Sequence, residues 1–145
     1  MKETNELLEN IYEDAEMASY TLTILLKELK NKDNKIKGDV EDILKEYEKY
    51  TKEAKALLKK HKIKPEKTSM MARLGAKEGI KANIKKDNSD SKISDIVIQG
   101  LVRGIIDITK KIDSFDKEAN KDILQFANKL LKFQEESVEK LKEYL

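Results

Sequence analysis

The stretch LENIYEDAEMASYTLTILLKEL, residues 8–29, decides the fold class. Its apolar members Leu8, Ile11, Ala15, Ala18, Leu22, Leu25 and Leu29 recur at alternating steps of three and four. A helix needs that rhythm if one narrow stripe is to face other helices. A second stretch repeats it with Val40, Ile43, Tyr47, Tyr50, Ala54, Leu57 and His61. Two such seams in succession predict packed helices. Neither seam carries a carboxylate, and the single histidine stands at the end of the second.

The rest of the chain extends the same pattern. At 145 residues it is long enough for one domain, 1–145, with a real core. Charged residues make up 40% and mean hydropathy is −0.69, so the surface is well solvated. One proline and five glycines leave few helix breakers. The absence of cysteine excludes disulfides and thiolate metal sites, and fits a cytoplasmic protein. The acidic, polar N-terminus is unlike a secretory signal. No apolar run reaches the roughly 20 residues needed to span a bilayer. Net charge is +2, but Thr51–Lys86 alone holds 12 basic and 3 acidic residues.

Helix boundaries follow from caps and breakers. The first helix is expected from about Thr4, whose hydroxyl can cap the first turn, to Asn31–Asn34. The second runs from Asp39 to His61, with Pro65 forcing Lys64 out of the helical region and ending it. Thr68–Lys86 reads as a helix weakened by Gly75 and Gly79. A fourth helix follows Asp87–Ser91, capped by Ser91 or Ser94, and a fifth runs from Lys117 to the C-terminus. The connection between the second and third long helices is thus itself helical, and long enough to cross the length of a bundle.

With these elements in place, the chain resembles the ferritin-like four-helix bundles, and most of all the small bacterial ferritin-like proteins of unknown function. The resemblance rests on the paired long helices, on ALLKKHKIKP (residues 56–65), IQGLVRGI (98–105) and FQEESVEKL (133–141). It implies an all-α bundle with one long crossover. Metal-binding members of the family use a carboxylate from each of two helices and Glu-x-x-His from the other two. At the corresponding places this chain reads Tyr47 with Tyr50 and Gln134 with Ser137. Ala15 and Ala18 occupy the seam of the first helix, and Gln99, Gly100 and Arg103 stand on the fourth. The resemblance therefore implies the fold without the di-metal site: no catalytic residue, no metal ligand and no cofactor is assigned.

Other residues are candidates for chemistry. Glu13, Glu16, Glu46, Glu48, Glu135, Glu136 and Glu139 would form a carboxylate-only metal cluster if turned inward; otherwise they are a solvated face with i,i+4 ion pairs. His61 lies among lysines, which disfavour its charged form, and reads as a helix-end residue. Tyr47, Tyr50, Gln134 and Ser137 form a candidate polar core layer, with Tyr47 expected to be buried and its hydroxyl bonded. Gly100 and Gly104 suggest a close helix contact that alanine at either site would overpack. Arg73, Lys77, Lys81 and Lys85, four residues apart, form a basic ridge able to neutralise phosphates. The lack of aromatics between Tyr50 and Phe115 removes stacking platforms for single strands, so nucleic acid is disfavoured. Phosphate loops, dinucleotide fingerprints, calcium loops and nucleophile elbows are absent from the sequence. The expected function is non-enzymatic: protein interaction or assembly, as a homodimer or with another protein partner. The alternatives are a carboxylate-only redox metal protein and a weak binder of anionic lipid or nucleic acid through the crossover.

Overall fold

The computed structural model describes residues 2–65, 69–115 and 120–145, with side chains from residue 6 onward. The described residues form α-helices and no strand: α1 (Lys2–Glu28), α2 (Lys37–Lys60), α3 (Met70–Lys86), α4 (Asp90–Asp113) and α5 (Lys121–Leu141), closed by a 3₁₀ turn over Lys142–Tyr144. The chain is all-α, and the crossover between α2 and α4 is helical.

Side-chain pairs give the direction of each helix. Lys111 of α4 lies 4.0 Å from Glu6, and Gly104 lies beside Asp14, so α4 runs antiparallel to α1. Arg73 pairs with Glu16 and Lys81 reaches Glu28 at 3.9 Å, so α3 runs parallel to α1. Lys140 meets Asp39 at 2.9 Å and Gln134 meets Tyr47 at 3.2 Å, so α5 is antiparallel to α2. The four long helices touch in the order α1, α2, α5, α4 and back to α1, with α3 laid against α1. Apolar side chains from all five helices fill the interior, among them Leu8, Ile11, Leu25, Val40, Leu58, Ile84, Ile93, Ile108, Ile123 and Leu130.

Several boundaries differ from the sequence reading. The first helix already includes Lys2, which places Thr4 inside it, and it ends at Glu28. The second ends at Lys60, well before Pro65, because the chain turns through a Schellman motif. Lys62 adopts a left-handed φ of 58°, its amide bonds to Lys59 O, and the Ile63 amide bonds to Leu58 O. Ser69 caps α3 by accepting from the Ala72 amide. Ser89, rather than Ser91 or Ser94, caps α4 by accepting from Lys92. Ser94 is buried within α4 and donates to Leu141 O at 2.5 Å. The expected start of the last helix at Lys117 lies outside the described residues, as does Thr68.

The seam of α2 drifts. Val40, Ile43, Tyr47 and Ala54 are buried, but at the far end Leu58 is buried, Leu57 is half-buried and His61 is exposed. A straight helix of 3.6 residues per turn departs from a seven-residue repeat by about 20° per heptad. After three heptads the drift is about 60°, more than half of the roughly 100° between successive residues, so Leu58 replaces Leu57 on the inward face.

Candidate functional site

Four helices contribute to one polar layer at mid-height. Tyr47 of α2 is buried at 3% exposure, and Gln134 of α5 is fully buried. The Gln134 amide nitrogen donates to the Tyr47 hydroxyl at 3.2 Å and also to the carboxylate of Asp14 on α1. Gly104 of α4 makes the room. A Cβ there would stand 2.6 Å from Gln134 Nε2 and 2.9 Å from Asp14 Oδ2. Gln134 Oε1 is buried without a partner among the described residues. Phe133 packs edge-on to the Tyr47 ring at 5.2 Å and stacks on Tyr50 at 5.5 Å, and Tyr50 also contacts Phe126 at 5.7 Å. Tyr47 and Phe126 are buried between the helices, and Tyr50 and Phe133 are half-buried beside them.

Asp14 is the chemically distinctive member. Burial pushes its carboxyl up to about 6; Asp107 and Glu13 add repulsion, while the Gln134 hydrogen bond acts the other way. Among the described residues, no Lys or Arg forms an ion pair with it. Asp14 is half-buried, and a carboxylate drawn out of water without a cation costs stability; such groups concentrate at functional sites. Burial also holds the Tyr47 hydroxyl well above the usual phenol range, so it remains protonated.

Asp14 opens onto a half-open cleft of about 240 Å³ between α1, α3 and α4. Leu22, Leu25, Ile80, Val97 and Leu101 form apolar walls, Tyr47 lies with Asp14, and exposed Arg103 and Gly100 stand at the rim. One carboxylate facing an apolar wall is chemistry for binding. The lining contains no Cys, His or Lys nucleophile.

The sequence-derived candidates are distributed unevenly. Tyr47 and Gln134 come together. Tyr50 and Ser137 do not join their hydrogen bond, because α2 and α5 run in opposite directions and each helical turn carries these two residues further apart. Tyr50 is half-buried against the phenylalanines, and Ser137 is buried one turn from Gln134. In the basic ridge, Arg73 is turned onto α1, pairing with Glu16 and lying 5.1 Å over the Tyr20 ring. Lys81 faces Glu28, Lys77 is half-exposed and Lys85 is exposed. Glu46, Glu136 and Glu139 pair with lysines on their own helices or the turn that follows. Glu13, Glu48 and Glu135 are exposed. Among the described residues, no group of three or more His, Asp and Glu is placed to hold a metal ion. Gly104 does support a close contact, but a Cβ on Gly100 would meet nothing within 4 Å, so alanine there does not overpack.

The sequence reading missed Asp14. A signal existed: it lies three residues after Ile11 and four before Ala18, on the flank of the α1 seam. No described helix is long and apolar enough to cross a membrane. Comparison with protein-family models, with curated proteins and with solved structures returns no match to this chain.

Proposed function

We propose that this chain is a ferritin-like four-helix bundle whose central layer is built from Asp14, Tyr47, Gly104 and Gln134 in place of metal ligands, and that it acts by protein interaction, as a homodimer. The layout supports the bundle reading. The helices of each pair α1/α4 and α2/α5 are antiparallel, and α3 runs back along α1 as the crossover of such a bundle would.

One observation carries the interaction reading. On α3, Met70, Met71 and Leu74 lie side by side at 85%, 85% and 59% exposure, in a chain whose surface is otherwise strongly charged. A cluster of large apolar side chains held in water marks a contact surface. Light scattering at increasing protein concentration should give a dimer, and Met70→Gln, Met71→Gln and Leu74→Gln together should give a monomer. A monomeric wild type would overturn the dimer. Protein purified without chelator should lack stoichiometric iron or manganese; finding either would favour the carboxylate-only redox reading instead.

A further inference from the structure

We propose that the cleft between α1, α3 and α4 is a binding site for a small organic cation, an ammonium group on an apolar body, with the charged end held by Asp14. The inference goes beyond the interaction reading and does not depend on a dimer.

The balance of donors and acceptors points to the ligand's head. The Gln134 amide nitrogen already serves both Tyr47 and Asp14. Left over at the cleft are the remaining lone pairs of the Asp14 carboxylate and the hydroxyl proton of Tyr47; Gln134 Oε1 is also unpartnered, but Gln134 is fully buried behind the cleft lining. Of the two polar groups facing the cleft from α1 and α2, the Asp14 carboxylate offers several acceptor sites against the single hydroxyl donor of Tyr47, so a donor-rich head is still wanted. An ammonium supplies three donors and no acceptor. Charge points the same way, since Asp107 adds its repulsion to a carboxylate that has no ion-pair partner among the described residues. Arg103 also lines the cleft, but it is exposed at the rim, where water and salt screen it.

The walls point to the ligand's body. Leu22, Leu25, Ile80, Val97 and Leu101 leave about 240 Å³ beside the carboxylate. A dry cavity of about 150 Å³ accepts benzene, so this one suits an amine of roughly ten non-hydrogen atoms. Gly100 offers a clean control, because a side chain built there enters open space.

The test is a titration of the ¹⁵N-labelled protein at pH 7.5 with phenethylammonium, 2-phenylethanol and 3-phenylpropanoate, which share the phenethyl body and differ in charge. Phenethylammonium should move the amides around Asp14–Leu22 and Val97–Arg103 saturably. The alcohol should bind at least tenfold more weakly, and 3-phenylpropanoate more weakly still. Gly100→Leu should keep the folded spectrum and lose binding of all three. Asp14→Asn should bring amine and alcohol to equal affinity. The proposal fails if the amine binds the wild type no more tightly than the alcohol, if its shifts map to the acidic outer faces, or if Gly100→Leu binds like the wild type. Should Asp14→Asn fail to fold, the comparison of the three compounds on wild type and Gly100→Leu decides alone.

Discussion

At the scale of single residues, Asp14 and Gly104 carry the most information. Asp14 titrates near 6 in the fold because burial penalises its charge, whereas in the unfolded chain it titrates at about 4. Between these values the folded state holds a proton that the unfolded state has lost. Stability therefore falls as pH rises from about 4 to 6, and the penalty stays in place above that. Asp14→Asn removes it. Denaturant unfolding at pH 7.5 should show a gain on the order of 1–3 kcal/mol, shrinking towards zero near pH 4. Asp107, Glu13, Tyr47 and Arg103 surround the group, and the Asn variant leaves all of them in place. Asp39 works in the opposite sense: Tyr144 and Lys140 hold its carboxyl low, so its stabilisation is lost on acidification. It lies at the start of α2, away from the layer, and cancels from the difference. The two α4 glycines should separate cleanly. Gly104→Ala drives a Cβ into an amide fixed between Tyr47 and Asp14, at a cost of about 1–3 kcal/mol. Gly100→Ala meets open space and gains about 0.5–1 kcal/mol of helix propensity. If thermal melts give both variants the same sign, the close approach of α1, α4 and α5 at this level is wrong.

At the scale of elements, helix ends are set by backbone geometry that residue type only partly signals. Pro65 is an obvious stop, yet α2 ends at Lys60 because Ile63 packs back through the bond of its amide to Leu58 O. Lys62 then sits at φ 58°, a position glycine would take without steric cost. Lys62→Gly should raise stability by about 1 kcal/mol, read from the melting temperature. An unchanged or lower value would mean that Lys62 leaves the left-handed region. A second junction is made by Asp90 at the start of α4. It accepts from the Asn34 side chain at 2.9 Å and from the Lys35 amide at 3.2 Å. It thereby ties the α1–α2 loop to the helix that follows the crossover. Nothing in the spacing of Asn34 and Asp90 along the chain announces this contact. Ser94 was legible as a helix-terminal residue by type, but Ser89 occupies the capping place, and Ser94 instead fastens the end of α5.

At the scale of the whole molecule, attachment is uneven. α3 buries only Ile80 and Ile84 among its described residues and packs chiefly on α1, while the long helices bury residues along most of their length. Its amides should therefore be the first of the five helices to exchange with deuterium under native conditions, with α1, α2, α4 and α5 protected together. Equal protection of α3 and α4 would show a tighter crossover than these contacts provide. The all-α class, the succession of helices and the helical crossover were legible from residue spacing, because a helix imposes its 3.6-residue period on any face it buries. Tyr47 and Gln134 could be placed inward by the same count. Asp14 could not. Its inclusion depends on how wide an arc of α1 is covered, and α1 is touched by α2, α3, α4 and α5 rather than by one neighbour. The narrow seam of period 3.5 fixes the centre of that arc from sequence. Its width, and so the burial of a carboxylate on its flank, is set only when the other helices close around it. The same closure brings Gly104 and Gln134, distant along the chain, against Asp14 and makes the cleft beside it.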